Sequence, residues 1–181
     1  DADWEMTHRT ELPRFHVSSV AVDHLERLWL GEAWNDQSDG RTVSVWESDE
    51  RVAEVTVGVR PEGGLARFGD RMAVGVAESG FGFSIWSIGV ETFDSREEAR
   101  VDDLDGSFLL LTAIAATDDH LLAAAIHDRT GESGDRTHTT LWWFDHSYRV
   151  LGKLDLGPDT TVWSLTPLDN GDFLVLNNSG F

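Results

Sequence analysis

Hydrophobic and polar residues alternate over short stretches along most of the chain, which is the pattern of β-strands. Residues 43–46 (VSVW) and 83–86 (FSIW) alternate, whereas residues 28–30 and 174–176 are continuously apolar. Gly, Asp, Asn and Ser residues separate these runs, as expected for turns. Apart from residues 94–100, no segment has the three-and-four spacing of an amphipathic helix. The pattern therefore predicts an all-β protein.

The strand pattern recurs as a repeated unit. Each unit begins with a small and apolar strand that ends at an aspartate, and the four aspartates are Asp23, Asp70, Asp118 and Asp169. They are 47, 48 and 51 residues apart, which suits one four-stranded antiparallel sheet per unit. An apolar second strand, a polar loop with a glycine, an alternating third strand with an aromatic residue and a polar outer strand follow. Such a unit predicts one blade of a β-propeller.

Two segments strengthen this interpretation. Trp46-Glu47 and Trp143-Phe144-Asp145 place an aromatic residue beside an acid near the end of a third strand. In this respect the sequence resembles WD40-type and YVTN-type β-propeller repeats. The resemblance implies small sheets arranged radially, with the first strand of each sheet nearest the central axis.

The repeats suggest a single domain with about four blades. We expect blade units at approximately 14–60, 61–104, 107–157 and 160–181 plus 1–13, because Trp4-Glu5 reads like the end of a third strand. Two arrangements are open: a four-bladed ring that the N-terminal strand completes, and a segment of a larger propeller with further blades in a longer chain. A β-sandwich is the remaining all-β alternative.

Charge and composition exclude several classes of partner. The 181 residues include 33 acids and 14 bases, a net charge of −19, which argues against nucleic acids and anionic membranes. The apolar runs are too short for membrane insertion. With 20 Asp, 13 Glu, 13 Arg and the single lysine Lys153, the chain resembles proteins of halophiles. Both a halophile cytoplasm and an extracytoplasmic surface fit this composition.

The loops between second and third strands hold most of the candidate ligand-binding residues. In a propeller these loops emerge on one side, and we call that side the b–c loop face. Trp34 and Trp163 are candidates for stacking on a sugar or an exposed peptide. The full set of ligand-binding candidates is Trp34, Asp36, Asp39, Glu78, Asp128, Glu132, Asp135 and Trp163.

Catalytic and metal-binding motifs are missing from the sequence. The chain has no cysteine, which excludes disulfides, thiolate nucleophiles and Cys-ligated metals. Its seven histidines form no HxH, HxxxH or HExxH pattern, and no GxSxG elbow or phosphate-binding loop occurs. Residues 35–40 are rich in oxygen ligands, but Trp46 stands where an EF-hand needs an acid. We expect no catalytic residue and no cofactor, with Ca²⁺ as the alternative.

These observations favour a non-catalytic propeller that binds a protein, a small molecule or a carbohydrate at the b–c loop face. The expected inner-strand residues are mostly small: Ser19, Ala21, Ala113, Ala115, Ser164 and Thr166. A first alternative is a hydrolase or lyase with a site at the central channel, around His16, Arg67 and Ser164. A second is a structural unit of a cell-surface or multi-subunit assembly.

Overall fold

A computed structural model describes residues 16–33, 41–58, 61, 63–78, 82–102, 107–128 and 137–179. Every regular element in these ranges is a β-strand. The strands are β1 (His16–Val22), β2 (Leu28–Ala33), β3 (Thr42–Glu47), β4 (Glu50–Thr56), β5 (Leu65–Phe68), β6 (Arg71–Glu78), β7 (Gly82–Gly89), β8 (Ser95–Val101), β9 (Ser107–Ala116), β10 (Leu121–Asp128), β11 (Thr137–Phe144), β12 (Val150–Pro158), β13 (Thr160–Pro167) and β14 (Phe173–Ser179).

The strands form four separate antiparallel sheets, each in sequence order. Blade 1 is β1 to β4, blade 2 is β5 to β8 and blade 3 is β9 to β12. Blade 4 consists of β13 and β14 in the described part of the chain. The four aspartates of the repeat all lie at the bend between the first and second strands of a sheet. The predicted repeat therefore corresponds to one sheet each time.

The first strands of the sheets lie side by side around a common centre. Strand β1 contacts β5, β5 contacts β9, and β9 contacts β13. Each sheet then extends outward through its second, third and fourth strands, so the sheets are arranged radially. This architecture is a β-propeller, as the sequence predicted.

Apolar side chains fill the space between neighbouring blades. We call the side of a blade that faces the next blade along the chain its forward face, and the opposite side its rear face. Trp29 and Val45 on the forward face of blade 1 pack in one cluster with Val74 and Ile88 of blade 2. Because the second strands are covered on both sides, they are almost continuously apolar.

The two other interfaces between blades have the same construction. Between blades 2 and 3, the rings of Phe83 and Trp142 meet edge to face with centroids 6.3 Å apart. Between blades 3 and 4, Leu122 and Leu141 pack in one cluster with Val162 and Leu165. Burial of these apolar surfaces holds the radial arrangement together.

The outer strands are polar because most of their side chains are exposed to solvent. In β8, residues 95–101 carry the ion pair between Arg100 and Glu97, with 2.8 Å between Nε and Oε1. The helix-like spacing of residues 94–100 is therefore misleading, since this segment pairs with β7 as an antiparallel strand. No helix in the described ranges has the length and apolar character needed to cross a membrane.

Candidate functional site: the axial channel

A β-bulge occurs at the same place in three of the four inner strands. In β1 the pairing with β2 shifts between Val17 and Ser19, so Ser18 is an extra residue. The extra residue is Thr112 in β9 and Trp163 in β13. A bulge re-aims a side chain away from the regular alternation of the strand.

Blade 2 has a corresponding irregularity just before β5. The N–H of Gly63 donates to the carbonyl of Gly75 at 3.2 Å, and the N–H of Gly75 donates to the carbonyl of Gly64 at 3.1 Å. Gly63 and Gly64 thus both lie opposite Gly75, and this two-against-one pairing is that of a bulge. Gly63 is therefore the blade 2 counterpart of Ser18, Thr112 and Trp163.

The four bulge positions meet in an axial channel of about 300 Å³. All four blades contribute to it, as expected for inner strands that surround one axis. The lining residues are Ser18, Ser19, Val20, Gly63, Gly64, Leu65, Thr112, Ala113, Ile114, Trp163, Ser164 and Leu165.

Two of the bulge hydroxyls are used in equivalent ways. Ser18 Oγ lies 3.0 Å from the carbonyl oxygen of Gly31, and Thr112 Oγ1 donates to the carbonyl of Ala124 at 3.2 Å. Gly31 and Ala124 occupy the same position of the second strand in their blades. Ser18 Oγ is also 2.8 Å from the carbonyl oxygen of Pro61 and so links blade 1 to the connection with blade 2.

Trp163 differs from the residues at the other three bulge positions. Its counterparts are Ser18, Gly63 and Thr112, which are small, whereas the indole of Trp163 is the largest side chain that lines the channel. Trp163 is 64% exposed, although the other tryptophans whose burial is described are buried or half-buried. An exposed indole beside a cavity offers a flat apolar surface and an N–H donor.

The channel wall is poor in groups that transfer protons. The described lining side chains are apolar or carry a hydroxyl, and none of them is an acid, a histidine or a base. General acid–base catalysis needs a group that gains or loses a proton near the working pH. The described wall is therefore suited to binding by contact and hydrogen bonding.

The structure separates two of the residues of the channel-enzyme alternative. Ser164 lines the channel. Arg67 does not: it is exposed near the bend of blade 2, where its Nε lies 3.3 Å from the carbonyl of Gly69. The backbone of His16 begins β1, and its side chain lies outside the described part.

Among the expected inner positions, Ser19, Ala113 and Ser164 line the channel. Ala21 and Ala115 instead pack in the clusters between blades. Both alanines lie in inner strands, as assigned, and Thr166 lies in the inner strand β13. Alternate residues of such a strand point to opposite faces, so some of these side chains face a neighbouring blade.

Most candidates of the b–c loop face lie outside the described residues, namely Trp34, Asp36, Asp39, Glu132 and Asp135. Glu78 ends β6, and only its backbone is described. Asp128 ends β10, where it pairs with Ser107 and Thr137. Its side chain is half-buried, and its Oδ1 atom has no hydrogen-bond partner among the described residues.

Two grooves lie at the opposite end of the blades, beside the bends. One of about 630 Å³ contains His24, Arg67 and Glu91 together with the ion pair of Arg71 and Asp94. The hydrogen bond from Arg71, followed by that from Thr92, lowers the pKa of Asp94 to about 2. This carboxylate is therefore charged at neutral pH and already paired with an arginine.

The second groove, of about 450 Å³, lies between the bends of blades 3 and 4 and contains Asp118, Asp119 and Asp169. In the described ranges, no group of three or more His, Asp or Glu side chains is arranged to hold a metal ion.

The bend of blade 1 contains an anchor that the sequence interpretation missed. The buried carboxylate of Asp23 accepts hydrogen bonds from the backbone N–H of Arg27, from Arg27 Nε and from Trp29 Nε1. Arg27 also donates to the carbonyl of Val90 in blade 2 at 2.6 Å. The motif Asp-His-x-x-Arg could have predicted this contact from the sequence. It recurs at residues 145–149, where the same Asp–Arg contact forms.

Comparison with solved structures finds a distant similarity of fold. Over 82% of its length the chain is similar to acylaminoacyl peptidase in complex with Z-Gly-Gly-Phe-chloromethyl ketone, with 16% identity and a TM-score of 0.52. A second similar structure is the acylaminoacyl peptidase of Pyrococcus horikoshii, with 15% identity over 75% of this chain and a TM-score of 0.48. The matched part of the first structure is a propeller domain, and at 16% identity the likeness shows the fold alone.

The chain spans about a quarter of the length of these two structures, 25% and 24%. The sequence matches no protein-family profile and has no match among curated proteins.

Proposed function

We propose that this β-propeller is a non-catalytic binding module whose ligand enters the axial channel and stacks on Trp163. The observation that carries the proposal is the exposed indole at a bulge position where the other blades have Ser18, Gly63 and Thr112. A bulge that re-aims a large aromatic side chain into a cavity is typical of binding sites.

The chemistry of the wall indicates a neutral ligand. Besides Trp163, the residues that line the channel include Ser164 and Thr112, which carry hydroxyls, and Ile114 and Leu165, which are apolar. Sugar rings and apolar peptide side chains both combine an apolar face with hydrogen-bonding groups, and both stack on tryptophan. A short oligosaccharide or an exposed peptide is therefore the class of ligand that fits.

The absence of a titratable side chain among the described lining residues supports binding over hydrolysis or lyase chemistry. The acidic b–c loop face stays a second proposed contact surface, with Asp128 as its described member. A triple variant, Trp34→Ala with Asp36→Ala and Asp128→Ala, is expected to lose capture of a protein ligand without a change in melting temperature.

Calorimetry with maltohexaose, chitohexaose and the tripeptide Gly-Gly-Phe tests the channel. We expect at least one probe to bind the wild-type chain, and Trp163→Ala to weaken that binding by about tenfold or more, which corresponds to about 1.4 kcal/mol. Trp163→Phe should retain most of the affinity because a ring remains.

Leu168→Ala is the matched control, since Leu168 is 43% exposed at the bend of blade 4 and does not line the channel. Equal affinity of Trp163→Ala and wild type, or binding of none of the three probes, would contradict the proposal.

A further inference from the structure

Two positions that hold small residues in blades 1 to 3 hold large apolar residues in blade 4. The first is the bulge position, which is occupied by Trp163. The second lies on the second strand, opposite the residue that follows the bulge. It is Gly31, Gly75 or Ala124 in blades 1 to 3 and Leu176 in blade 4. Leu176 is 61% exposed, whereas its three counterparts are buried. Both departures from the repeat therefore add exposed apolar surface to blade 4.

The small residues of the other blades are needed for close packing. A Cβ atom on Gly75 would lie 2.5 Å from Leu111 Cδ2 of blade 3. A leucine in place of this glycine would clash with the next blade. Leu176 fits on the forward face of blade 4 because the space in front of it is open.

The neighbouring position on the same face of blade 4 is also exposed. This position pairs with the third residue after the bulge and points to the following blade. It is Trp29, Ala73 or Leu122 in blades 1 to 3, and these are at most 6% exposed. Its counterpart Leu174, which pairs with Thr166, is 59% exposed. The inner part of the forward face of blade 4 is thus an open apolar surface.

The inner edge of blade 1 is exposed as well. Val20 and Val22 lie on the rear face of β1, and both are 58% exposed. Farther out, the same face is covered within the chain, because Leu30, Ser44 and Trp46 are 1%, 0% and 7% exposed. Blade 1 therefore offers an apolar edge along β1 and no open face.

These exposed side chains border one opening, which we call the blade 4 cleft. Its apolar residues are Val20, Val22, Trp163, Leu174 and Leu176. Val20 and Trp163 also line the axial channel. The cleft is therefore a sideways extension of the channel between the first and last blades.

Charge is missing from the strands of blade 4 and present at both of their ends. Residues 160–167 and 173–179 include no acid, lysine, arginine or histidine, although the chain carries a net charge of −19. Surfaces that become buried against a partner are depleted of charge. Asp159 precedes β13, and Asp169 and Asp172 lie in the bend at the other end; all three are exposed. This distribution suits a ligand that is uncharged in its middle and basic at its ends.

The spacing of side chains on this face matches that of an extended peptide. Leu174 and Leu176 are two residues apart on one strand, which places them about 7 Å apart, the period of side chains on one side of an extended chain. The exposed hydroxyl residues Ser164 and Thr166 pair with these leucines and offer hydrogen bonds to peptide N–H and C=O groups. An acyl chain would not use these hydroxyls, and a sugar chain does not alternate in this way.

We propose that the blade 4 cleft binds an extended peptide of about seven residues, a length that matches the strands of blade 4. The peptide has apolar side chains at alternate positions and a basic residue at each end. This inference rests on the proposed function and narrows its ligand to a peptide. Leu174 and Leu176 contact the alternate apolar side chains, and Trp163 contacts the peptide where the cleft joins the channel.

Calorimetry with the peptide acetyl-Lys-Val-Thr-Leu-Thr-Val-Lys-amide tests the proposal. We expect it to bind the wild-type chain. Leu174→Ala and Leu176→Ala should each weaken binding by about tenfold, because each removes apolar contact area. Leu176→Ala also restores the residue that blade 3 has at this position. No binding to the wild-type chain, or unchanged affinity in both variants, would overturn the proposal.

Leu151→Ala is the matched control, since Leu151 is 51% exposed on the outer strand β12, outside the cleft. It should bind the peptide like wild type, and an equal loss in this variant would overturn the proposal. All three leucines are exposed, so the variants should unfold at the wild-type temperature.

A second peptide with glutamate in place of both lysines tests the charge of the ends. At 0.2 M KCl it should bind at least about tenfold more weakly than the lysine peptide, and the difference should shrink at 2 M KCl because salt screens the aspartates. Equal affinity of the two peptides at 0.2 M KCl would overturn the assignment of basic ends.

Maltohexaose distinguishes failure of this inference from failure of the channel proposal. If the sugar binds, Trp163→Ala abolishes that binding, and the peptide does not bind, then the channel proposal stands and the peptide cleft is overturned. If Leu176→Ala weakens peptide binding and Trp163→Ala does not, then the cleft is supported and the channel proposal is overturned.

Discussion

The internal and terminal blade faces use the same kinds of residue at the same repeat positions but differ sharply in burial. Trp29, Ala73 and Leu122 are at most 6% exposed, whereas Leu174 at the equivalent position is 59% exposed. Neighbouring blades, and not the residues of a single sheet, therefore determine which apolar side chains are buried. Each blade face supplies one side of an interface, so its contribution to the stability of the fold depends on whether another blade packs against it.

The largest expected effect is a difference in stability between a substitution on an internal face and one on a terminal face. Trp29→Ala should destabilise the fold by about 3–5 kcal/mol, because it empties a fully buried site between blades 1 and 2. Leu174→Ala should change stability by less than about 0.5 kcal/mol. Denaturant unfolding at 0.2 M KCl measures both. Similar losses for the two variants would contradict the difference in burial between internal and terminal faces.

The bends of blades 1 and 4 also differ in burial. Asp23→Ala should cost about 3–5 kcal/mol, because it leaves the buried Arg27 without its carboxylate partner. Asp169 stands at the matching bend of blade 4, is exposed, and should tolerate Ala within about 0.5 kcal/mol. Thermal unfolding of the two single variants tests this difference. A larger loss for Asp169→Ala than for Asp23→Ala would contradict it.

A smaller effect is expected at the position where blades approach most closely. A Cβ atom on Gly75 would lie 2.5 Å from Leu111 Cδ2 and 3.1 Å from Gly63 Cα. Gly75→Ala should therefore destabilise by about 1–3 kcal/mol through overpacking. Leu176→Ala at the same position of blade 4 is the control and should cost less than about 0.5 kcal/mol. Equal tolerance of both changes would show that blades 2 and 3 are not tightly packed.

The smallest expected effect is a pH dependence of stability caused by Asp23 at the bend of blade 1. Burial raises the pKa of Asp23, but hydrogen bonds from Trp29, Arg27 and Leu25 outweigh it and leave this pKa below the ordinary value of 3.8. A lowered folded-state pKa adds stability above the unfolded pKa, and this stability is lost as the pH falls through the folded pKa. Asp23→Asn should flatten the stability profile below about pH 4, and an unchanged slope would contradict the assignment.

The architecture was largely readable from the sequence because each blade repeats its own pattern. The spacing of Asp23, Asp70, Asp118 and Asp169 identified the bend, and the alternation of residues 43–46 and 83–86 identified third strands. Trp163 was recognised as a candidate for stacking because it leads into an inner strand. These features are local and need no knowledge of how sheets pack.

The remaining features depend on contacts between strands and blades. Ser18 and Thr112 are bulge residues only because their strands pair with a shift, which the linear sequence does not record. Arg27 reaches Val90 only after blade 2 has packed on blade 1. Arg67 was expected near Ser164, but the direction of its side chain depends on the turn at Gly69.

Distances between the four bends test the common axis most directly. The chain has no cysteine, so pairs of cysteines introduced for spin labelling are the only thiols. Suitable exposed bend residues are His24, Asp70, Asp119 and Asn170. Samples diluted with unlabelled protein report distances within one chain. We expect pairs 24–70, 70–119 and 119–170 to share one distance within the label spread, and 24–170 to be longer than each of them. Neighbouring pairs with clearly unequal distances would contradict four blades around one axis.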